Sequence, residues 1–174
     1  LHIVAFDLAR GPDGNWWVVS QRTQAPSGLG YLLENRSAVS AQFTGAFEAM
    51  HVRRLAASYR RFIEALKSMC PGGPDAHIAL LTPGPYNETY FEQSYLARYL
   101  GVTLVEGHDL TVRGQRLYLK TLHGLEPVHG LIKRVDDAFL DPLELRPESR
   151  LGVPGLLQAV RAGNLLVANA PGAA

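Results

Sequence analysis

His77-Ile78-Ala79-Leu80-Leu81-Thr82-Pro83-Gly84-Pro85-Tyr86-Asn87 is the stretch from which the fold is read. Its first five residues form a short apolar run of strand length, the pattern of a strand buried on both faces. Thr82-Pro83-Gly84-Pro85 ends that strand in a turn, because proline fixes φ and glycine accepts positive φ. Asn87 is placed to cap a helix, with Tyr86 and Phe91 at the two hydrophobic-staple positions. That helix is expected to bury Phe91, Tyr95, Leu96 and Tyr99 and to stop at Gly101. Residues 102–105 then give a second strand, so the unit is strand, helix, strand.

The same order recurs downstream. Residues 128–135 read as a strand, Pro154 opens a helix to 162 that Gly163 closes, and 165–168 is the last strand. Between the two units, 110–113 and 116–121 form a hairpin around Gly114-Gln115. At the amino end, 2–9 and 16–21 flank Pro12-Asp13-Gly14 as another hairpin, followed by a loop over 22–30. Residues 52–69 carry a 3.6-period apolar stripe with Arg53, Arg54, Arg60, Arg61 and Lys67 opposite. Such a basic face is usually just solvated. The expected fold class is α/β: a mostly parallel Rossmann-like sheet with helices on both faces, plus a small amino-terminal hairpin and helix appendage.

Composition narrows the function classes. The 174 residues are 47% hydrophobic, and 17 basic against 16 acidic side chains leave a net charge of +1. That excludes a disordered chain and gives no bulk electrostatic argument for nucleic acid or a membrane surface. One cysteine, Cys70, permits no internal disulfide and points to a reducing, cytoplasmic compartment. The six histidines show no ligand spacing, so no metal site is expected. The chain begins on Leu1 and stops just after a strand, which suggests a piece of a longer protein.

Ligands of open α/β sheets bind beyond the carboxyl ends of the strands. Four segments fall there: 82–87, 106–109, 134–137 and Asn169. The first joins a Gly-Pro turn to a helix amino terminus but matches no phosphate-binding fingerprint. It serves equally as a packed turn. Arg134 either grips an anion as a planar fork or pairs locally, and Asp136 or Asp137 either holds a cation or caps a short helix over 138–140. The loop Pro26-Ser27-Gly28 suits close backbone approach to a ligand, and no Gly-x-Ser-x-Gly makes Ser27 a nucleophile.

Pro26-Ser27-Gly28-Leu29-Gly30-Tyr31 with Glu34-Asn35-Arg36, Thr82-Pro83-Gly84-Pro85 and Leu104-Val105-Glu106-Gly107-His108-Asp109 resemble the circularly permuted ATP-grasp family (type 2). Arg134-Val135-Asp136-Asp137, Leu151-Gly152-Val153-Pro154-Gly155 and Ala168-Asn169-Ala170 continue the match over nearly the whole chain. The family is similar to glutathione and glutathionylspermidine synthetases. Such ligases make an acyl phosphate from ATP and a carboxylate, which an amine then displaces.

The resemblance implies that residues 1–50 are a hairpin and loop of the ATP-grasp body and 51–174 a Rossmann-like substrate-side domain. Substrate contacts would be Arg36 and Arg134 on anionic groups, with Asn35, Asn87 and Glu106 beside them and Pro26, Ser27 and Gly28 as the loop. ATP and magnesium would be bound mostly outside this chain. Partners would be a small-molecule or peptide carboxylate, an amine, and the rest of the ATP-grasp protein. Where family members carry an acidic residue and Asn as magnesium ligands, this chain has Gln21-Arg22. That departure favours an alternative, a non-catalytic binding or scaffold domain. Arg134→Ala is expected to weaken ligand binding without unfolding the domain.

Overall fold

The computed structural model describes residues 1–173. The chain opens with β1 (Ala5–Arg10) and β2 (Trp16–Arg22), an antiparallel pair in register from Ala5↔Arg22 to Arg10↔Trp16. Gly14 takes φ 80° in the turn, and Asp13 accepts the Asn15 N–H at 3.1 Å. Trp16, Trp17, Val18 and Val19 are all exposed. Three helices follow: α1 (Leu29–Gln42), α2 (Thr44–Ala49) and α3 (Ala56–Met69). The first two occupy a region for which the sequence suggested only a loop and its continuation.

The body begins with β3 (Ile78–Leu81), α4 (Tyr90–Leu100) and β4 (Thr103–Val105). Next come β5 (Leu110–Arg113), β6 (Arg116–Thr121) and β7 (Gly124–Val128). The chain closes with β8 (Gly130–Lys133), α5 (Leu156–Arg161) and β9 (Leu166–Ala168). Strands β4, β3, β8 and β9 lie side by side in that order, all parallel, while β5, β6 and β7 form a separate antiparallel sheet. Both expected strand–helix–strand units are present.

The fold is therefore mixed α/β, and the expectation of a mostly parallel sheet is corrected. Side chains alternate across the parallel strands, so each face needs its own cover. Ile78, Leu80 and Ile132 pack with Leu33, Tyr59, Leu66 and Leu96 under α1, α3 and α4. Ala79, Leu81 and Leu131 pack with Leu110, Leu117 and Val128 of the antiparallel sheet and with Leu156 and Ala159 of α5. The antiparallel sheet and α5 share the cover of the second face, where a helical layer alone was expected. The Arg-rich α3 is part of the first layer, so it is no appendage.

Three local expectations also change. The strand over 128–135 divides at His129. There the chain leaves β6 to join β3, with the His129 and Gly130 N–H groups both reaching the His77 carbonyl. Helix α4 starts at Tyr90 because Asn87 makes an Asx turn, accepting the Thr89 N–H at 3.0 Å and hydroxyl at 2.7 Å. That extra turn rotates the helix: Tyr86 and Phe91 are exposed, no staple forms, and Glu92, Gln93, Leu96 and Ala97 are buried. Finally, α5 begins after Gly155 rather than at Pro154. The buried Asp141 carboxylate accepts the Leu143, Gly155 and Leu157 N–H groups, each at 3.0 Å.

Candidate functional site

The carboxyl ends of β3, β4, β8 and β9 deliver Thr82, Glu106, Arg134 and Asn169 to one edge of the sheet. Across that edge runs the loop between β2 and α1, and the strand-end side chains hold its backbone. Lys133, with no side-chain exposure, donates to the Gln24 carbonyl at 2.6 Å. Its ammonium also lies 2.7 Å from Asp137 Oδ1, an ion pair although misaligned for a hydrogen bond. Arg134 donates through Nη1 to the Pro26 carbonyl and through Nη2 to Glu92 Oε2 at 3.0 Å. Glu92 Oε1 accepts the Gly28 and Gly30 N–H groups at 3.1 and 2.9 Å. Asn169 accepts the His2 and Ile3 N–H groups at 2.6 and 2.9 Å and donates to the Ile3 and Thr23 carbonyls.

Buried charges of this kind survive only when paired and hydrogen-bonded. Here each cation has its carboxylate: Lys133 has Asp137, and Arg134 has Glu92. Burial pulls the Arg134 guanidinium below its ordinary pKa, and the Glu92 charge and hydrogen bond oppose that shift. Glycine is required at position 30, where a Cβ would come within 2.7 Å of the Glu92 backbone oxygen.

Two adjoining cavities open on this edge. The first, 560 Å³, lies between the hairpin and the loop and is lined by Asp7, Arg22, Gln24, Ser27 and Asp136 among others. The second, 280 Å³, is lined by Ser27, Asn87, Thr89, Gln93, Arg134 and Asp136 among others. Ala25, Ser27 and Asp136 belong to both. Asp136 is exposed, and neither it nor Asp137 caps the 137–139 turn with its side chain.

The predicted residues separate into two groups. Ser27, Asn87 and Arg134 come together at the smaller cavity, with Pro26 and Gly28 fixed beneath it by Arg134 and Glu92. Arg134 pairs with a residue 42 positions away, not locally. Asn35 and Arg36 ride on α1 elsewhere. Arg36 donates to the Arg53 carbonyl at 2.9 Å, stacks over Phe47 at 5.5 Å and lines a different, 790 Å³ groove. Glu106 and Asp109 close a capping box around the 107–109 turn, and Glu106 lines neither cavity.

Lys133, Glu92, Gln93 and Gln24 are not among the predicted site residues. For Glu92 and Gln93 a signal existed: with Leu96 and Ala97 they form an i, i+1, i+4, i+5 stripe, so two polar residues share the buried face.

Parallel strands ending on a gripped loop, with two polar cavities between, define an α/β module with a candidate ligand site at its sheet edge. The chain belongs to the circularly permuted ATP-grasp type 2 family, whose match extends over residues 1–174. An uncharacterized protein of Synechocystis sp. is 40% identical over 172 residues, 98% of this chain and 36% of its own length. Two uncharacterized proteins of Mycobacterium tuberculosis are each 40% identical over 173 residues, 99% of this chain. That alignment covers 31% of one and 20% of the other. The chain thus spans roughly a third or less of these relatives.

ATP-grasp proteins generally use ATP and magnesium, and two places among the described residues do not suit a phosphate or a magnesium ion. No group of three or more His, Cys, Asp or Glu side chains among them is arranged to hold a metal ion. At Gln21-Arg22 the guanidinium pairs with Asp7 at 2.6 Å, which places a cation where magnesium would need anionic oxygens. At the turn after β3, the Glu106 carboxylate lies where a Gly84 Cβ would meet it at 3.0 Å, so an anion already fills that backbone concavity. No helix among the described residues is long and apolar enough to cross a membrane.

Proposed function

We propose that this chain is the substrate-side part of an ATP-dependent carboxylate–amine ligase. Residues 1–50 would add a hairpin and loop to the ATP-grasp body, and 51–174 would form the substrate domain. One observation carries this proposal: the joined cavities lie at the carboxyl edge of the parallel sheet, on a loop that buried ion pairs hold in place. The exposed Trp16, Trp17, Val18 and Val19 support it, since a two-stranded ribbon with open apolar faces suits packing against further protein. Nucleotide phosphates and magnesium are assigned to residues outside the chain, and the described residues bind and orient the substrate.

The test is a thermal-shift titration with glutamate-containing peptides, polyamines, MgATP and ADP. Stabilisation by a peptide or an amine without nucleotide is the expected result. Stabilisation by ATP alone would overturn the assignment. A second reading, a binding or scaffold domain without catalysis, is favoured by the Arg22–Asp7 pair. Absence of substrate-dependent ADP formation by the longer protein, with peptide or amine binding retained, would select it.

A further inference from the structure

Among the described residues, three buried side-chain atoms lack a hydrogen-bond partner: Gln93 Oε1, Arg134 Nε and Asp137 Oδ1. Asp137 Oδ1 has the Lys133 ammonium beside it. The other two belong to residues that line the same 280 Å³ cavity, and both side chains are almost wholly buried. Both atoms are closed to solvent as the side chains stand, and buried polar groups normally have partners, so two orphans on residues that line one cavity point to a ligand that reaches them by a small shift of those side chains.

The orientation of Gln93 is fixed by its neighbours. The Thr89 backbone N–H can only donate, so Asn87 must present Oδ1 to it at 3.0 Å. The Thr89 hydroxyl donates to that same oxygen at 2.7 Å. Its lone pairs, with Asn87 Oδ1, then face Gln93, which must turn Nε2 toward them at 2.8 and 3.2 Å. Gln93 Oε1 is left as an unmet acceptor. Arg134 has spent Nη1 and Nη2 on Pro26 and Glu92, which leaves Nε–H as an unmet donor.

Charge decides what complements this pair. The Arg134 guanidinium is already neutralised by Glu92, whereas Asp136 and Glu88, also at the cavity, make no ion pair with the described residues. The cavity wall is therefore acidic, and a carboxylate or phosphate would be repelled there. We propose that this cavity binds the amine-bearing end of a substrate, a primary ammonium next to a carbonyl, as at the amino terminus of a peptide or amino-acid amide. The ammonium donates to Gln93 Oε1 and to the Asp136 carboxylate, and the carbonyl accepts from Arg134 Nε. This deepens the ligase proposal and rests on it for the role of the amine, which is the attacking group. The binding itself does not depend on turnover.

Calorimetric titration of the full chain with L-alaninamide tests it. The same titration with N-acetyl-L-alaninamide removes the ammonium, n-propylamine removes the carbonyl, and acetate supplies an anion. Alaninamide should bind, the two truncated probes should bind about tenfold more weakly or worse, and acetate should not bind. Asp136→Asn, at an exposed position, should keep the melting temperature and weaken alaninamide about tenfold. Gln93→Met, verified as folded by circular dichroism, should weaken it similarly.

Tighter binding of acetate than of alaninamide would overturn the proposal. So would equal binding of the acetylated probe, or unchanged affinity in Asp136→Asn. Silence to every probe would mean that trapped water alone serves the two orphans, and would overturn it too. Alaninamide binding without ADP formation by the longer protein would leave this site standing and remove the ligase. ADP formation insensitive to Asp136→Asn and alaninamide would do the reverse.

Discussion

Arg134→Ala separates a ligand-facing arginine from one that builds the fold. In the structure the guanidinium is 2% exposed and its Glu92 partner is fully buried. Truncation leaves the carboxylate without its cation, and breaking a buried pair from one side costs about 3–5 kcal/mol. Glu92 keeps two backbone N–H donors, from Gly28 and Gly30, which places the loss near the lower end of that range. The Pro26 carbonyl also loses its donor, at a further cost of about 1 kcal/mol. The sum is about 4 kcal/mol. For a chain of this size that corresponds to a fall in melting temperature of roughly 8–16 °C. Urea and thermal denaturation followed by circular dichroism read both quantities. The paired change Arg134→Met with Glu92→Gln, which removes both charges together, should regain at least about half of the loss. A single variant melting within about 2 °C of the parent would refute the buried pair and restore the simpler expectation of an arginine that serves only a ligand.

Other outcomes follow from single contacts. Asp141→Ala leaves three N–H groups without their acceptor, Leu143 in its own loop and Gly155 and Leu157 at the start of α5, and should cost about 3 kcal/mol in urea denaturation. Gly152→Ala should be more damaging, because its Cβ would come within 2.1 Å of the Leu140 carbonyl oxygen, a backbone atom that cannot move aside. We expect little folded protein by circular dichroism or size-exclusion chromatography. Tyr59 supplies a pH dependence. Burial raises its hydroxyl to about 12 from 10.0, while the proton is held in a 2.7 Å bond to the Leu29 carbonyl. The unfolded chain therefore releases this proton first, so the stabilisation is complete below pH 10 and is lost as pH rises toward 12. The loss is about 2 kcal/mol, and Tyr59→Phe should flatten that limb of the stability curve measured by urea denaturation.

Strand existence was legible because it depends on local composition. The runs at 78–81 and 103–105 are apolar and bounded by proline and glycine, and the structure forms strands there. What the runs could not reveal was the partner on the far face. Leu110, Leu117 and Val128 look like any half-buried hairpin residues, and only their place in one buried cluster with Ala79 and Leu131 shows that a sheet helps to cover that face. The register of α4 was misread for a related reason. Asn87 is a good cap by residue type, yet its side chain closes an Asx turn and passes the helix start on to Thr89. The displacement turns Phe91 outward and brings Glu92 and Gln93 inward.

That rotation bears directly on the site. Had α4 started at Asn87, Glu92 would not face the Gly28 and Gly30 amides, and Arg134 would have its fork free for an anion. Because it starts later, Glu92 joins loop and strand end in one buried unit, and the guanidinium is committed on two of its three nitrogens. Charged residues at strand ends suggest ligand contacts, and here the same residues spend most of their hydrogen-bonding capacity on backbone. Lys133 holds Gln24, Arg134 holds Pro26, and Asn169 holds Thr23. A loop fixed at three successive points loses little conformational freedom when a ligand arrives, so the cavity walls are in place before binding. On the proposal above, specificity then falls to the few groups left over, Gln93 Oε1, Arg134 Nε and the Asp136 carboxylate, which has no ion-pair partner among the described residues, and these would favour a cationic donor beside an acceptor over an anion.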